Sequence, residues 1–215
     1  KGHEKTQDYG SKIINFSDQE NIKKIIKKRK FTFKKESDKN FLLTKIFNNR
    51  VKNTNYNGVS INTKTIKKNN LFFAIRGKKT DGHKFVKEAI KKGAIKSVIS
   101  KNIKNLNSNK TIKVKDTLST LNNLAKITRD NSSAHIIGIT GTVGKTTLKN
   151  LISFALTNYG KVYCSPHSYN NKFGVPLSLS NLKNDIDFGV FEIGMDKKGE
   201  IDKLSKIVKP EIAII

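Results

Sequence analysis

Residues 138–147 read GITGTVGKTT, and the fold is decided here. The apolar run HIIGIT (135–140) precedes the stretch, and KTTLKNLISFALTN (145–158), with helical periodicity, follows it. A glycine-rich turn between a strand and a helix lets several backbone N–H groups converge on phosphate oxygens. The helix start near Lys145 adds its positive end. In such a loop Lys145 neutralises the β- and γ-phosphates and the Thr146 hydroxyl ligates Mg2+. The general pattern places a Gly five residues before Gly144, where this chain has Ile139 between Gly138 and Gly141. The expectation is therefore a variant phosphate loop, set against the alternative of a Gly-rich turn with an incidental Lys.

Working outward, strand and helix signals alternate. KVYCS (161–165), DFGVFEIG (187–194) and PEIAII (210–215) read as strands, and GEIDKLSKIV (199–208) reads as a helix. Continuous apolar strands between helices predict a parallel sheet covered on both faces. Glu192 ends one of these strands, where an acidic group is costly without a partner. At the carboxyl edge it can reach a Mg2+ held by Thr146; the competing reading is a strand-end glutamate facing water. Between the loop and this strand lies SPHSYNNKFGVPLSL (165–179), in which Asn170 and Asn171 precede a Gly–x–Pro turn. Amide side chains can bond both a phosphate oxygen and a carboxylate, although alone the stretch reads as an ordinary turn. His167 reads as a ligand or as a plain loop histidine.

Upstream, DTLSTLNNLAKITRDN (116–131) sets Leu118, Leu121, Leu124, Ala125 and Ile127 on one helical face. Before it, NGVSINTKT (57–65), NNLFFAIRG (69–77) and AIKSVIS (94–100) read as short strands and turns. A helix over 83–92, with Phe85, Ala89 and Ile90 on one face, lies between the last two. Residues 1–33 end in a Lys-rich helical stretch over 18–30 with Ile22, Ile25 and Ile26 at helical spacing, followed by the polar joint FTFKKESDKN. The expected architecture is α/β, with boundaries at 1–33, a linker over 34–39, a small α/β domain over 40–113 and a P-loop parallel-sheet domain over 114–215.

The formal charge of +26 invites a nucleic-acid reading. Yet of 43 Lys and Arg residues, Arg holds only positions 29, 50, 76 and 129. Nucleic-acid sites favour the planar Arg fork, so the charge reads as a Lys-rich solvated surface and no nucleic-acid partner is expected. No apolar run is long enough for a membrane span, and no secretory signal is visible. The single Cys164 excludes an internal disulfide and fits a reducing cytoplasm. The only methionine is Met195, so residue 1 is not a translational start and a piece of a longer chain is expected.

The order TGTVGKTT, NNKFGVPLSL and FEIGMDKKGEIDKLSKIVKPEIAII resembles the central ATPase domain of the Mur ligases. GVSINTKTIKKNNLFFAIRGKKTDGHKFVKEAIKKGA resembles the UDP-binding N-terminal domain of the same family. The resemblance covers about residues 40–215 and is strongest to the branch that joins D-alanyl-D-alanine to UDP-MurNAc-tripeptide. It implies an ATP-dependent amide ligase of peptidoglycan synthesis, working through an acyl phosphate. On this resemblance Gly141, Thr142, Val143, Gly144, Lys145, Thr146 and Thr147 bind ATP. Thr146 and Glu192 hold the first Mg2+, and Asn170 or Asn171 meets the reacting end. Ser60, Asn62, Thr63 and Lys64, with Asp81, Gly82 and His83, match positions near the UDP-sugar, although Asp81 also suits a helix cap.

The chain departs from the family pattern at several points. Asn62 and Lys64 stand where Asp and Arg are common, and Lys lacks the bidentate geometry of Arg. Asp196 and Lys197 stand where many members have Asn-His, which puts the second metal site in doubt. The family's carbamylated lysine and C-terminal domain would lie beyond Ile215, so the chain is expected to bind nucleotide without completing ligation. The opening KGHEKTQDYGSKIINFSDQENIKKII resembles the extreme C-terminus of the family's UDP-MurNAc-tripeptide synthetases, with Glu4 near the incoming amino group. This predicts fusion to a preceding Mur ligase. Another ligase of the superfamily, or a basic nucleic-acid-binding P-loop module, are the alternatives.

Overall fold

The computed structural model describes residues 12–13, 46–47 and 55–215. Apart from Lys12 and Ile13, the opening stretch, its resemblance and the helix expected over 18–30 lie outside the described residues.

Two parallel sheets organise the chain. The first has the order β2 (Gly58–Ser60), β3 (Asn70–Phe73), β4 (Lys96–Ile99), β5 (Thr111–Lys113). Its strands alternate faces, as the pleat requires. Leu71, Phe73, Val98 and Ile112 enter one core, while Phe72, Ala74 and Ile99 enter another on the opposite face. The second core is closed by Val86 and Ala89 of α1 (Val86–Lys91). Fully burying each such Phe or Leu contributes about 1.5–3 kcal/mol.

The helix expected over 83–92 is a 3-10 turn, Gly82–Phe85, followed by α1. The tighter winding moves Phe85 out of phase with the apolar stripe, leaving it 38% exposed. Strand β5 had no sequence signal beyond a single buried Ile112.

The second sheet has the order β1 (Lys12–Ile13), β9 (Ile212–Ile214), β6 (His135–Ile139), β8 (Phe188–Glu192), β7 (Val162–Cys164). All its pairings are parallel. Ile137, Ile139, Phe188 and Val190 pack with Leu156 of α3 (Lys145–Leu156) on one face. Ile136, Phe191 and Ile193 pack with Leu204, Ile207 and Val208 of α5 (Glu200–Val208) on the other. Arg129 donates to the carbonyls of Val208 and Lys209 at 3.0 and 3.1 Å, closing the C-terminal end of α5.

Two helices join the sheets. In α2 (Thr117–Asn131), capped by the Asp116 carboxylate on the Ser119 N–H, Leu121 and Leu124 enter the core that holds Leu71 and Phe73, and Ala125 enters the core that holds Ile136 and Phe191. In α4 (Gly174–Ser180), Leu177 joins Leu121 and Leu124, while Val175 and Leu179 join Ala125 beneath the second sheet. This helix stands where the sequence suggested a turn. Pro176 lies in its first turn, where a missing N–H removes no intrahelical bond. Just past α4, the Asn181 amide accepts from the Val59 N–H at 2.8 Å and donates to the Val59 carbonyl at 3.0 Å.

Candidate functional site

The site is built at the carboxyl ends of β6 and β8. Register places Ile139 beside Glu192, so the loop leaving β6 begins next to the carboxylate that ends β8. Crevices at this edge are where ligands of open α/β sheets bind. The loop turns through Gly141 and Gly144 at φ 136 and 78 degrees, a region that favours glycine. A Cβ at either position would meet nothing within 4 Å. The glycines therefore serve the backbone conformation, and the space above the loop is open. Gly141, Thr142, Val143, Gly144 and Thr147 are exposed around it. Lys145 curls back over the loop, donating to the carbonyls of Gly141 at 2.7 Å and Thr142 at 3.1 Å.

Thr146, Glu192 and Asn170 come together. Glu192 is 1% exposed. One of its oxygens accepts from the Thr146 hydroxyl at 2.7 Å and the other from the Asn170 amide at 2.7 Å. Its backbone N–H donates to Ser165 Oγ at 3.3 Å. Asn170 is held from behind as well, its carbonyl accepting from the Gly194 N–H at 2.7 Å. Both side-chain partners of this buried carboxyl group are neutral. With a hydroxyl beside it, this oxygen donor set suits Mg2+, which is held by one or two protein groups and substrate phosphates. Among the described residues no group of three or more His, Cys, Asp or Glu could hold a metal ion.

Asn171 takes a different place from Asn170. Its Oδ1 accepts from the N–H groups of Phe173 and Gly174, both at 3.0 Å, and so caps the start of α4. His167 is exposed, with its backbone at φ 47 degrees. Asp196 and Lys197, both exposed, turn into α5 and donate their N–H groups to Glu200 Oε2 at 2.7 and 3.2 Å.

The residues expected near a UDP-sugar lie on the first sheet. Ser60 ends β2, and its Oγ is within 2.9 Å of the Asn62 carbonyl and 3.1 Å of Thr65 Oγ1. Asn62 Oδ1 accepts from the Lys64 N–H at 2.9 Å, which fixes a tight turn with the Asn62 and Lys64 side chains exposed. Thr63 is half-buried and hydrogen-bonded to Glu88.

The DGH stretch is held internally. Asp81 accepts from the His83 N–H at 3.0 Å and lies 2.6 Å from His83 Nδ1. The Ser100 N–H donates to His83 Nε2 at 2.9 Å, so that nitrogen is the acceptor and Nδ1 carries the proton. Lys101 pairs with Asp81 at 2.6 Å. This ammonium, then the His83 backbone and ring, hold the Asp81 carboxyl well below the usual carboxylate range. Gly82 packs directly against the backbone of Ile75. His83 is buried, so this stretch shapes the turn after β3.

One residue escaped the sequence reading. Lys149 is 1% exposed. Its ammonium donates to the carbonyls of Ser165 at 2.7 Å and His167 at 2.5 Å. With Ser153 and Leu156 it forms the buried stripe of α3, a core position that no local sequence signal marks for a lysine.

Residues 55–129 match the Mur ligase family catalytic domain, and residues 139–215 match the Mur ligase middle domain. The UDP-N-acetylmuramoyl-tripeptide–D-alanyl-D-alanine ligase of Rickettsia prowazekii is 38% identical over 161 residues, 75% of this chain and 36% of that protein. The Bacillus subtilis ligase of the same name is 34% identical over 169 residues, 78% of this chain and 37% of that protein. The chain thus spans little more than a third of the length of these relatives. Among solved structures, MurF from Acinetobacter baumannii superposes with a TM-score of 0.70 at 26% identity, covering 81% of this chain and 39% of that one. MurF ligase from Thermotoga maritima, in complex with ADP, superposes with a TM-score of 0.62 at 31% identity, covering 74% and 37%.

Proposed function

Because the chain belongs to the Mur ligase family over residues 55–129 and 139–215, we propose that it forms the ATP-binding and UDP-substrate-binding portion of a ligase adding D-alanyl-D-alanine to UDP-MurNAc-tripeptide. The observation that carries this reading is the Thr146–Glu192–Asn170 cluster beside the phosphate loop. The ADP complex of the Thermotoga maritima relative supports nucleotide use at such a loop.

In the reaction, the terminal carboxylate of the tripeptide attacks the γ-phosphorus of ATP, forming an acyl phosphate and releasing ADP. The amine of D-alanyl-D-alanine then attacks the acyl carbon and loses a proton, the amide forms, and inorganic phosphate leaves. The loop N–H groups orient the phosphates for in-line transfer. Lys145 exchanges its carbonyl partners for phosphate oxygens and stabilises the charge on the transferring phosphoryl group. Thr146 and Glu192 would hold Mg2+, which when bound neutralises phosphate charge. Asn170 keeps the Glu192 carboxylate oriented and presents its amide toward the reacting end. The side chains of the Asn62–Lys64 turn are available to the UDP-sugar. The single Cys164 supports a reducing, cytoplasmic setting.

Calorimetric titration of the 215-residue chain with ATP and with UDP-MurNAc-tripeptide tests the reading. Both should bind, and Lys145→Ala should weaken ATP at least about tenfold, the order of one lost charge-assisted contact. The fold should persist, since among the described residues Lys145 bonds the carbonyls of its own loop. Unchanged ATP affinity in that variant would sink the assignment. Steeply salt-dependent DNA binding without UDP-sugar binding would point instead to a nucleic-acid module.

A further inference from the structure

We propose that Lys149 is a positioning residue of the nucleotide–metal site, holding the 165–171 loop so that Asn170 reaches Glu192. The inference rests on the ATP and Mg2+ reading above. Burying an ammonium costs several kcal/mol more than burying an apolar side chain. Yet Lys149 occupies the stripe of α3 where Leu156 is the apolar alternative. Its partners are two main-chain carbonyls of one loop, so what it stabilises is the path of that loop. The path is otherwise unfavourable. His167 sits at φ 47 degrees, a region non-glycine residues rarely adopt, and its carbonyl there meets the ammonium.

The loop is pinned at both ends of this contact. Ser165 donates its N–H to Val190 O at 2.9 Å, and its Oγ accepts from the Glu192 N–H. Asn170, at the far end, bonds Glu192 and Gly194. The Lys149 ammonium fixes the span between. A single helix thereby sets both sides of the carboxylate: Thr146 bonds one oxygen directly, and Lys149, one turn on, governs the amide bonded to the other. Outer partners of this kind typically change metal affinity 10–100-fold.

The test measures the affinity of the 215-residue chain for a non-hydrolysable ATP analogue, with and without Mg2+. Lys149→Met should stay folded by circular dichroism and keep its Mg2+-free affinity within about twofold. The strengthening by Mg2+ should fall at least about tenfold, and the Asn170 side-chain amide resonance should shift. In an Asn170→Ala background the same substitution should add less than about twofold, because the two act in series. Lys149→Gln, which keeps two donors, should recover part of the Mg2+ response. A full Mg2+ response in folded Lys149→Met, or independent effects in the double variant, overturns the proposal. Failure of both position-149 variants to fold also overturns it, since the lysine would then serve core stability alone. If Glu192→Gln itself leaves the Mg2+ response intact, the ATP–Mg2+ reading fails instead.

Discussion

Replacing Glu192 by glutamine separates the two jobs a buried carboxylate can have. The side chain is 1% exposed and accepts hydrogen bonds from Thr146 and Asn170, both neutral donors. Each charge-assisted bond contributes about 1.5–3 kcal/mol, against a desolvation penalty of several kcal/mol for the charge. Glutamine keeps the shape, accepts from Asn170 through its oxygen and offers its NH2 to the Thr146 hydroxyl, which can rotate to accept. The terms nearly cancel, so stability should change by no more than about 1 kcal/mol, or about 2–4 °C in a chain of this size. Of the two protein groups proposed to hold Mg2+, the charged one would be lost, so the Mg2+-dependent gain in nucleotide affinity should drop about 100-fold, close to 2.7 kcal/mol. Thermal melts with and without Mg2+ and ADP report both quantities. A Glu192→Gln protein that melts far below wild type yet keeps its full Mg2+ response would refute the reasoning, because the carboxylate would then be structural.

Gly194→Ala should place a Cβ 2.9 Å from Asn170 Cγ; the overpacking should cost about 1–3 kcal/mol and push the amide off Glu192, read as a lower melting point with a weaker Mg2+ response. Asn181→Ala should strip the buried Val59 N–H and carbonyl of their amide partner, costing about 1–3 kcal/mol in denaturant titrations. Asp81 is held below its ordinary value of 3.8, chiefly by Lys101. Its contribution is therefore complete above about pH 4 and is lost as pH falls further. The melting difference between wild type and Asp81→Asn should accordingly stay flat from neutral pH to about pH 5 and shrink in stronger acid.

Much of the second sheet was legible because its strands are continuous apolar runs separated by amphipathic helices. The turn between β6 and α3 was legible because Gly141 and Gly144 supply the positive φ it requires. Glu192 stood out as an acid at the end of an apolar strand. Other features carry weak local signals. Helix α4 looked like a turn because Asn171, Gly174 and Pro176 are turn formers, yet these residues cap and start the helix. Strand β5 has three residues and one buried side chain, too few for a period to show. Lys149 was hidden by composition: among so many lysines, only tertiary packing distinguishes the one that faces inward among the described residues. The choice between Asn170 and Asn171 likewise needed the chain path, since both are amides and only one meets Glu192.

Helix α2 gives Leu121 and Leu124 to one sheet and Ala125 to the other. Cutting the chain before the helix would strip cover from the first core, and cutting after it would expose the side facing α5. Neither unit then has a boundary at which it could be excised whole. The loop over residues 141–144 and the Asn62–Lys64 turn should thus form and melt together, in a single cooperative unfolding step.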